Sequence, residues 1–208
     1  ENPNIIEVRK GDNGTRAWTI NPGEYCNAFD GKHGGLWRVR GRAMSKLLGV
    51  TFTSFGLTYS SYYRRAPDSN LPECQWIMKG LSADEPIGNF GLVGGGAAGL
   101  ELDRYDLELG TPHRAYLLAH SEGHNDIFVS VTEESTFNAR GYTQGGTGDN
   151  NPWTRADIVY YKTPNDGAVF SVGSMSWCGS LQHNDYDNNV SQIMQNVLNG
   201  FLKPGTLP

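Results

Sequence analysis

Long apolar runs, paired cysteines and blocks of positive charge are all missing from this sequence, and each absence removes a class of function. No apolar stretch approaches the roughly 18 residues of a membrane-spanning helix, so a membrane protein is not expected. Lys and Arg number 17 against 22 Asp and Glu, a formal net charge of −5 with no long basic block. Phosphate backbones are held by a cationic footprint, so nucleic acid is not an expected partner. The cysteines, Cys26, Cys74 and Cys178, lie far apart and form no C-x-x-C pair. Such an odd, sparse set reads as reduced thiols rather than a disulfide framework. The two N-x-[ST] matches, at Asn13 and Asn189, are explained by chance, and a cytoplasmic setting is expected. There is no internal repeat. An initiator methionine and a signal-like segment are also missing ahead of Glu1, so a piece of something larger is expected.

What is present suits one medium domain. The chain has 208 residues, within the usual domain range of about 50–250, and 38% hydrophobic content is enough for a core. Glycine is abundant, and its densest stretch is GNFGLVGGGAAGLELDR, residues 88–104. Six consecutive positions, 94–99, carry nothing larger than a methyl group, and Glu101 and Asp103 follow at once. Glycine weakens a strand or helix by roughly 0.5–1 kcal/mol per position relative to alanine. Such a run is favoured where another backbone, a packed element or a small substrate comes close. A carboxylate beside that surface is a candidate general base. Gly94, Gly96 and Gly99 also fit G-x-G-x-x-G. A dinucleotide site needs a helix opening on the glycines, whereas LELDRYDLELGTP is charged and ended by Gly110 and Pro112. That reading is set aside.

Strands are expected at IIEVR (5–9), RAWTI (16–20), LWRVRGR (36–42) and VTFTSF (50–55), which are β-branched or aromatic. The first two flank the turn KGDNGT. Residues 56–86 read as irregular, with CQWIMKG (74–80) as one more short strand. AYLLAH (115–120) reads as an interior strand, and IFVSV (127–131) as either strand or helix. FNARGYTQGGTGDNNPW (137–153) reads as a long loop of the functional or mobile kind. DIVYYKT, PNDG and AVFSVGS form a hairpin. Val190, Ile193, Met194, Val197, Leu198 and Phe201 repeat with the period of one buried helix face. Asn189 with Gln192 suggests its capping box, and Pro204 ends it.

Three further clusters carry possible chemistry. His120, Glu122 and His124 stand in HSEGH at a strand end, a place that lines crevices in open α/β sheets. Metal binding, or proton transfer by His124 with Asp126, is weighed there against ordinary loop hydrogen bonding. Cys178 near His183 invites a thiol nucleophile, but the helix that would lower its pKa starts more than ten residues later, so a buried structural cysteine is expected. Tyr59, Tyr62 and Tyr63 with Arg64 and Arg65, and Arg38, Arg40 and Arg42 on one strand face, suit a protein interface.

Taken in order, GTRAW, GGLWRVRGR, SSYYRR, IGNFGLVGGGAAGLELDR, GTPHRAYLLAHSEGH and GAVFSVGSMSWCGSLQHNDYDNNVSQIMQNVL span nearly the whole chain. Together they resemble the C-terminal portion of the N,N-dimethylformamidase large (beta) subunit family. The resemblance implies hydrolysis of N,N-dimethylformamide to dimethylamine and formate by an assembly of large subunits with a small helical subunit. It implies an α/β fold: a strand-rich part (1–86) leading into a glutamine-amidotransferase-like α/β sandwich (87–208) that closes with a β-hairpin and a C-terminal helix. It implies a mononuclear iron whose two tyrosines and one glutamate precede this segment, so no metal ligand is assigned here. It also implies a lysine and a glutamate near the iron, placed by position on Lys10 and Glu101. Iron would act as a Lewis acid on the amide carbonyl, Glu101 would move the proton, and Lys10 would steady the oxyanion. Gly94, Gly95 and Gly96, with His124, would line a small pocket for methylated amides. The alternative is a non-catalytic assembly module of such a complex, and a weaker one is a free-standing cysteine hydrolase using Cys178.

Overall fold

A computed structural model describes residues 41–130 and 151–203 of the chain. The expected strands at 5–9 and 16–20, most of 36–42, most of the 137–153 loop, Lys10, Cys26, Arg38 and Arg40 lie outside the described residues. A four-residue helix, α1 (Ser45–Leu48), leads into the strand that organises the rest, β1 (Thr51–Arg65). Its first half pairs antiparallel with β2 (Ala98–Arg104) and β4 (Val129–Ser130), and its second half with β3 (Tyr116–Glu122). Beyond β3 come β5 (Asp157–Lys162) and β6 (Ala168–Ser171), also antiparallel. One long strand thus changes partners midway, and the sheet curls.

That strand overturns the expectation of irregular structure from residue 56. β1 runs to Arg65, and Gly56 with the residues after it resembles a loop because the pairing breaks register there. Gly56 is opposite Leu100 and Ser60 opposite Gly99, so Leu57, Thr58 and Tyr59 have no partners on β2. An insertion of this kind bends a strand and re-aims its side chains. CQWIMKG is likewise not a strand. Cys74 and Gln75 both donate to the Leu71 carbonyl, and Ile77 donates to that of Cys74, which makes helical turns. Cys74, Ile77 and Met78 are all buried, and that i, i+3, i+4 spacing is helical.

The hairpin holds as expected, with Val159 opposite Ser171 and Lys162 opposite Ala168. Two helices follow: α2 (Ser176–Ser180) and α3 (Asn189–Leu202). Val190, Ile193 and Val197 of α3 enter the same core cluster as Tyr63, Ile77, Ile87, Leu118, Ile158 and Tyr160. The buried face is narrower than the periodicity implies, because Leu198 and Phe201 are exposed. The cap also moves by one residue. Asn188 accepts from the Ser191 amide at 2.9 Å, while Asn189 turns away to bond Gly88 N and Pro86 O, each at 3.0 Å. Every strand pairing among the described residues is antiparallel. The architecture is therefore a strand-rich mixed fold, a curled antiparallel sheet closed by a C-terminal helix. No described helix is long and apolar enough to cross a membrane.

Candidate functional site

The glycine run is the crossing of two backbones. A Cβ on Gly96 would fall 2.2 Å from the Ser61 carbonyl oxygen, and one on Gly94 would fall 2.5 Å from Ser60 N. On Gly99 it would meet Ser60 Oγ at 1.8 Å. β1 fills these gaps just past its unpaired residues, where the Ser60 amide donates to the Gly94 carbonyl at 2.9 Å. Ser174 reinforces the crossing, since its hydroxyl accepts from Gly99 N at 2.8 Å and lies 2.7 Å from Gly99 O. Gly95 differs: nothing lies within 4 Å of its missing Cβ, and its φ of +82° is the reason for glycine. Of the three glycines assigned to a pocket, Gly94 and Gly96 thus turn toward β1 and Gly95 toward open space.

Glu101 stands on β2 directly after this crossing, exposed and in register with Phe55. Phe55 in turn pairs with Val129 of β4, so the three positions lie in one row across the sheet. The backbone on one side of that row, where the register breaks, is strained. Leu100 has φ +60° and Thr58 φ +71°. Left-handed backbone costs a side-chain-bearing residue about 1–3 kcal/mol, and a β-branched threonine is a poor fit for it. Strain of this kind persists where surrounding structure enforces it, and it gathers at functional sites. Neither outlier is legible in the sequence, since Leu and Thr carry no left-handed signal.

HSEGH does not converge on one point. Glu122 is taken by Arg64, whose Nε donates at 2.9 Å, and His120 sits in register opposite Asp157 on β5. His124 is buried, with Nε2 2.6 Å from the Ser121 hydroxyl. Burial lowers its pKa to about 4, because an imidazolium there would be stripped of water. Phe128 packs against its ring at 4.5 Å, edge to face. Among the described residues no three His, Cys, Asp or Glu side chains are grouped to hold a metal.

Sequence reasoning missed the most deeply buried charge. Asp157, the first residue of β5, is fully buried. Its carboxylate accepts from Tyr105 N at 2.8 Å and from Arg155 Nε at 3.0 and 3.1 Å. Burial pushes its pKa up and the Arg155 guanidinium pulls it back. Its bond to Tyr105 N ties β5 to the residue after β2, and its pair with Arg155 satisfies the buried carboxylate, so it belongs to the frame. The tyrosine and arginine cluster is largely frame as well. Tyr63 is buried and its hydroxyl donates to the Val172 carbonyl at 2.6 Å, while Arg65 is bound to Ser69 and Asn70. Cys178 is corrected in the other direction. It lies within α2, exposed, while its neighbour Trp177 takes the buried place against Tyr63. A five-residue helix presents only one side to the core, and Trp177 occupies it.

Residues 1–188 match the family described as N,N-dimethylformamidase beta subunit-like, C-terminal. The chain is 46% identical over 208 residues to the N,N-dimethylformamidase beta subunit of an Alcaligenes species. It is 46% identical to that of Paracoccus aminophilus over the same length. Both alignments cover all of this chain and 27% of the relative, so the chain spans about a quarter of the length of the relatives it matches.

Proposed function

The chain belongs to the N,N-dimethylformamidase beta subunit-like C-terminal family, and from that premise we propose that it is part of an amide hydrolase for small N-substituted formamides. Identity of 46% along the entire chain carries the reaction class. The placement of Glu101 supports a role within it. An exposed carboxylate on a paired strand, directly after a left-handed residue, has its backbone placed by the sheet while it remains open to a reactant.

In this reading the Glu101 carboxylate removes a proton from water as the water oxygen bonds to the formamide carbon. When the tetrahedral intermediate collapses, the C–N bond breaks and the same proton passes to the departing amine nitrogen. Formate and dimethylamine leave. Proton transfer of this kind contributes typically 10²–10⁴-fold. Lys10, outside the described residues, is assigned to the negative oxygen of the intermediate. Gly95, with open space where a side chain would stand, is assigned to the substrate pocket in the same reading. Iron is proposed for the full assembly, with ligands from the remainder of the large subunit. Among the described residues no three His, Cys, Asp or Glu side chains are grouped to hold a metal, and no step here passes through iron. A small subunit, a cytoplasmic setting and kinship of the sheet with glutamine-amidotransferase-type sandwiches belong to the same proposal.

Glu101→Gln in the full assembly tests it. Amide turnover should fall at least 100-fold with iron content and folding unchanged, and undiminished turnover removes Glu101 from the mechanism. The assembly-module reading has one observation of its own, the exposed Leu198, Phe201 and Leu202 at the end of α3. Normal turnover of Glu101→Gln, together with loss of subunit association on Leu202→Ser, would favour it.

A further inference from the structure

We propose that His124 is a positioning residue for Glu101, acting through Phe128 and the seat that Gly56 leaves for it. The inference rests on the reading of Glu101 given above and adds the device that holds it.

The geometry begins at Ser121. Its Oγ accepts the Ala156 amide hydrogen at 2.7 Å and lies 2.6 Å from His124 Nε2. Directing the hydroxyl hydrogen at Nε2 leaves the fewest buried groups without a partner, so Nε2 is the acceptor and the ring proton sits on Nδ1. That nitrogen has no hydrogen-bond partner. The ring is therefore neutral, locked by one bond and buried, with 5% of its surface exposed. Phe128, buried completely, packs 4.5 Å from it with the planes at 66°. Phe128 in turn occupies the place of a side chain at position 56, where a Cβ would meet its ring at 2.6–2.9 Å. The Tyr59 ring closes the other side at 6.4 Å.

Gly56 is the last residue of β1 in register before the three unpaired residues, and its partner is Leu100. Leu100 is the left-handed residue immediately ahead of Glu101. The line His124–Phe128–Gly56–Leu100 thus runs from a buried histidine to the left-handed residue next to the carboxylate. A buried imidazole with an unpartnered nitrogen is a costly way to fill space. An apolar ring would fill it better, unless the hydrogen bond to Ser121 fixes an angle that matters for Phe128.

The test uses the assembled enzyme with three variants. His124→Leu removes both the bond and the ring, Phe128→Leu removes the ring that sits in the seat, and His124→Phe keeps a ring without the bond. We expect kcat to fall at least 10-fold in His124→Leu and Phe128→Leu with KM within about twofold. His124→Phe should recover part of that loss. Amide hydrogen exchange at residues 99–102 should accelerate at least 10-fold in the two leucine variants. Full kcat and unchanged exchange in a folded leucine variant would overturn the proposal. Phe128→Leu serves if His124→Leu does not fold. Should Glu101→Gln prove fully active, the proposed function fails, and exchange at 99–102 still decides whether His124 holds this strand.

Discussion

Placing a methyl group at residue 96 separates packing from pocket in the glycine run. In Gly96→Ala the new Cβ falls 2.2 Å from the Ser61 carbonyl oxygen and 2.8 Å from Ser60 C and O. These are backbone atoms on a strand held by β2 on one side and β3 on the other, so no side chain can swing aside. Overpacking costs typically 1–3 kcal/mol where side chains repack, and here the strands themselves must part. We expect about 3 kcal/mol or more, set against a total stability of roughly 5–15 kcal/mol. Gly95→Ala is the control. It meets nothing within 4 Å and pays only for a left-handed alanine at φ +82°, about 1–2 kcal/mol. Urea unfolding followed by tryptophan fluorescence measures both, since Trp177 is buried against Tyr63 and reports on the core. A Gly96→Ala loss below 1 kcal/mol, or a Gly95→Ala loss exceeding it, would refute the crossing of β1 and the glycine run as described. Unaltered stability with a raised KM would return residue 96 to a substrate-facing role.

Two further outcomes follow from the same frame. Asn188→Ala should cost about 1 kcal/mol through loss of the cap on the Ser191 amide, while helix content stays intact in Asn189→Ala, whose two bonds tie α3 to the 86–88 loop; far-ultraviolet circular dichroism with urea titration checks both. Stability should decline as pH falls from 6.5 toward 4, because the unfolded chain takes up a proton at His124 that the folded chain excludes. The full effect is roughly 3 kcal/mol below pH 4 and zero well above 6.5, and a His124→Gln chain whose acid sensitivity matches the wild type would refute it.

How much of this was legible in the sequence depends on the range of the cause. The β5–β6 hairpin and α3 were readable because turn residues and helical period are local signals carried by the residues themselves. β1 was readable only to Phe55, because Gly56 marks a seat for Phe128, 72 positions further along the chain (128 − 56), and no local pattern announces that. The segment 74–80 failed for a related reason. Trp, Ile and Met favour strands or helices by what they pack against, and here they pack against α3, where the Trp76 ring would meet a Cβ on Gly200 at 2.3 Å. At the site, the sequence offered Glu101 and the glycines, both visible as composition. It concealed the left-handed Thr58 and Leu100, which stand where the two strands meet out of register.

That mismatch is what connects the fold to the proposed chemistry. Were β1 and β2 paired evenly, the residues after Gly56 would continue along the strand and Glu101 would be one more side chain on a regular sheet. Three unpaired residues on β1 stand opposite the step from left-handed Leu100 to Gly99, and the small residues at 94–99 let β1 return to its partner at Ser60. Glycine density and the exposed carboxylate therefore have a common origin in one irregularity. Its cost, about 1–3 kcal/mol at each of two residues, is tolerable because the neighbouring core is tightly closed by Phe128, Leu102 and Tyr63, all fully buried. A sheet selected for stability alone would remove the irregularity by deleting residues 57–59. On the proposed reading, that deletion would also shift Glu101 relative to the rest of the sheet, and amide turnover would fall with it.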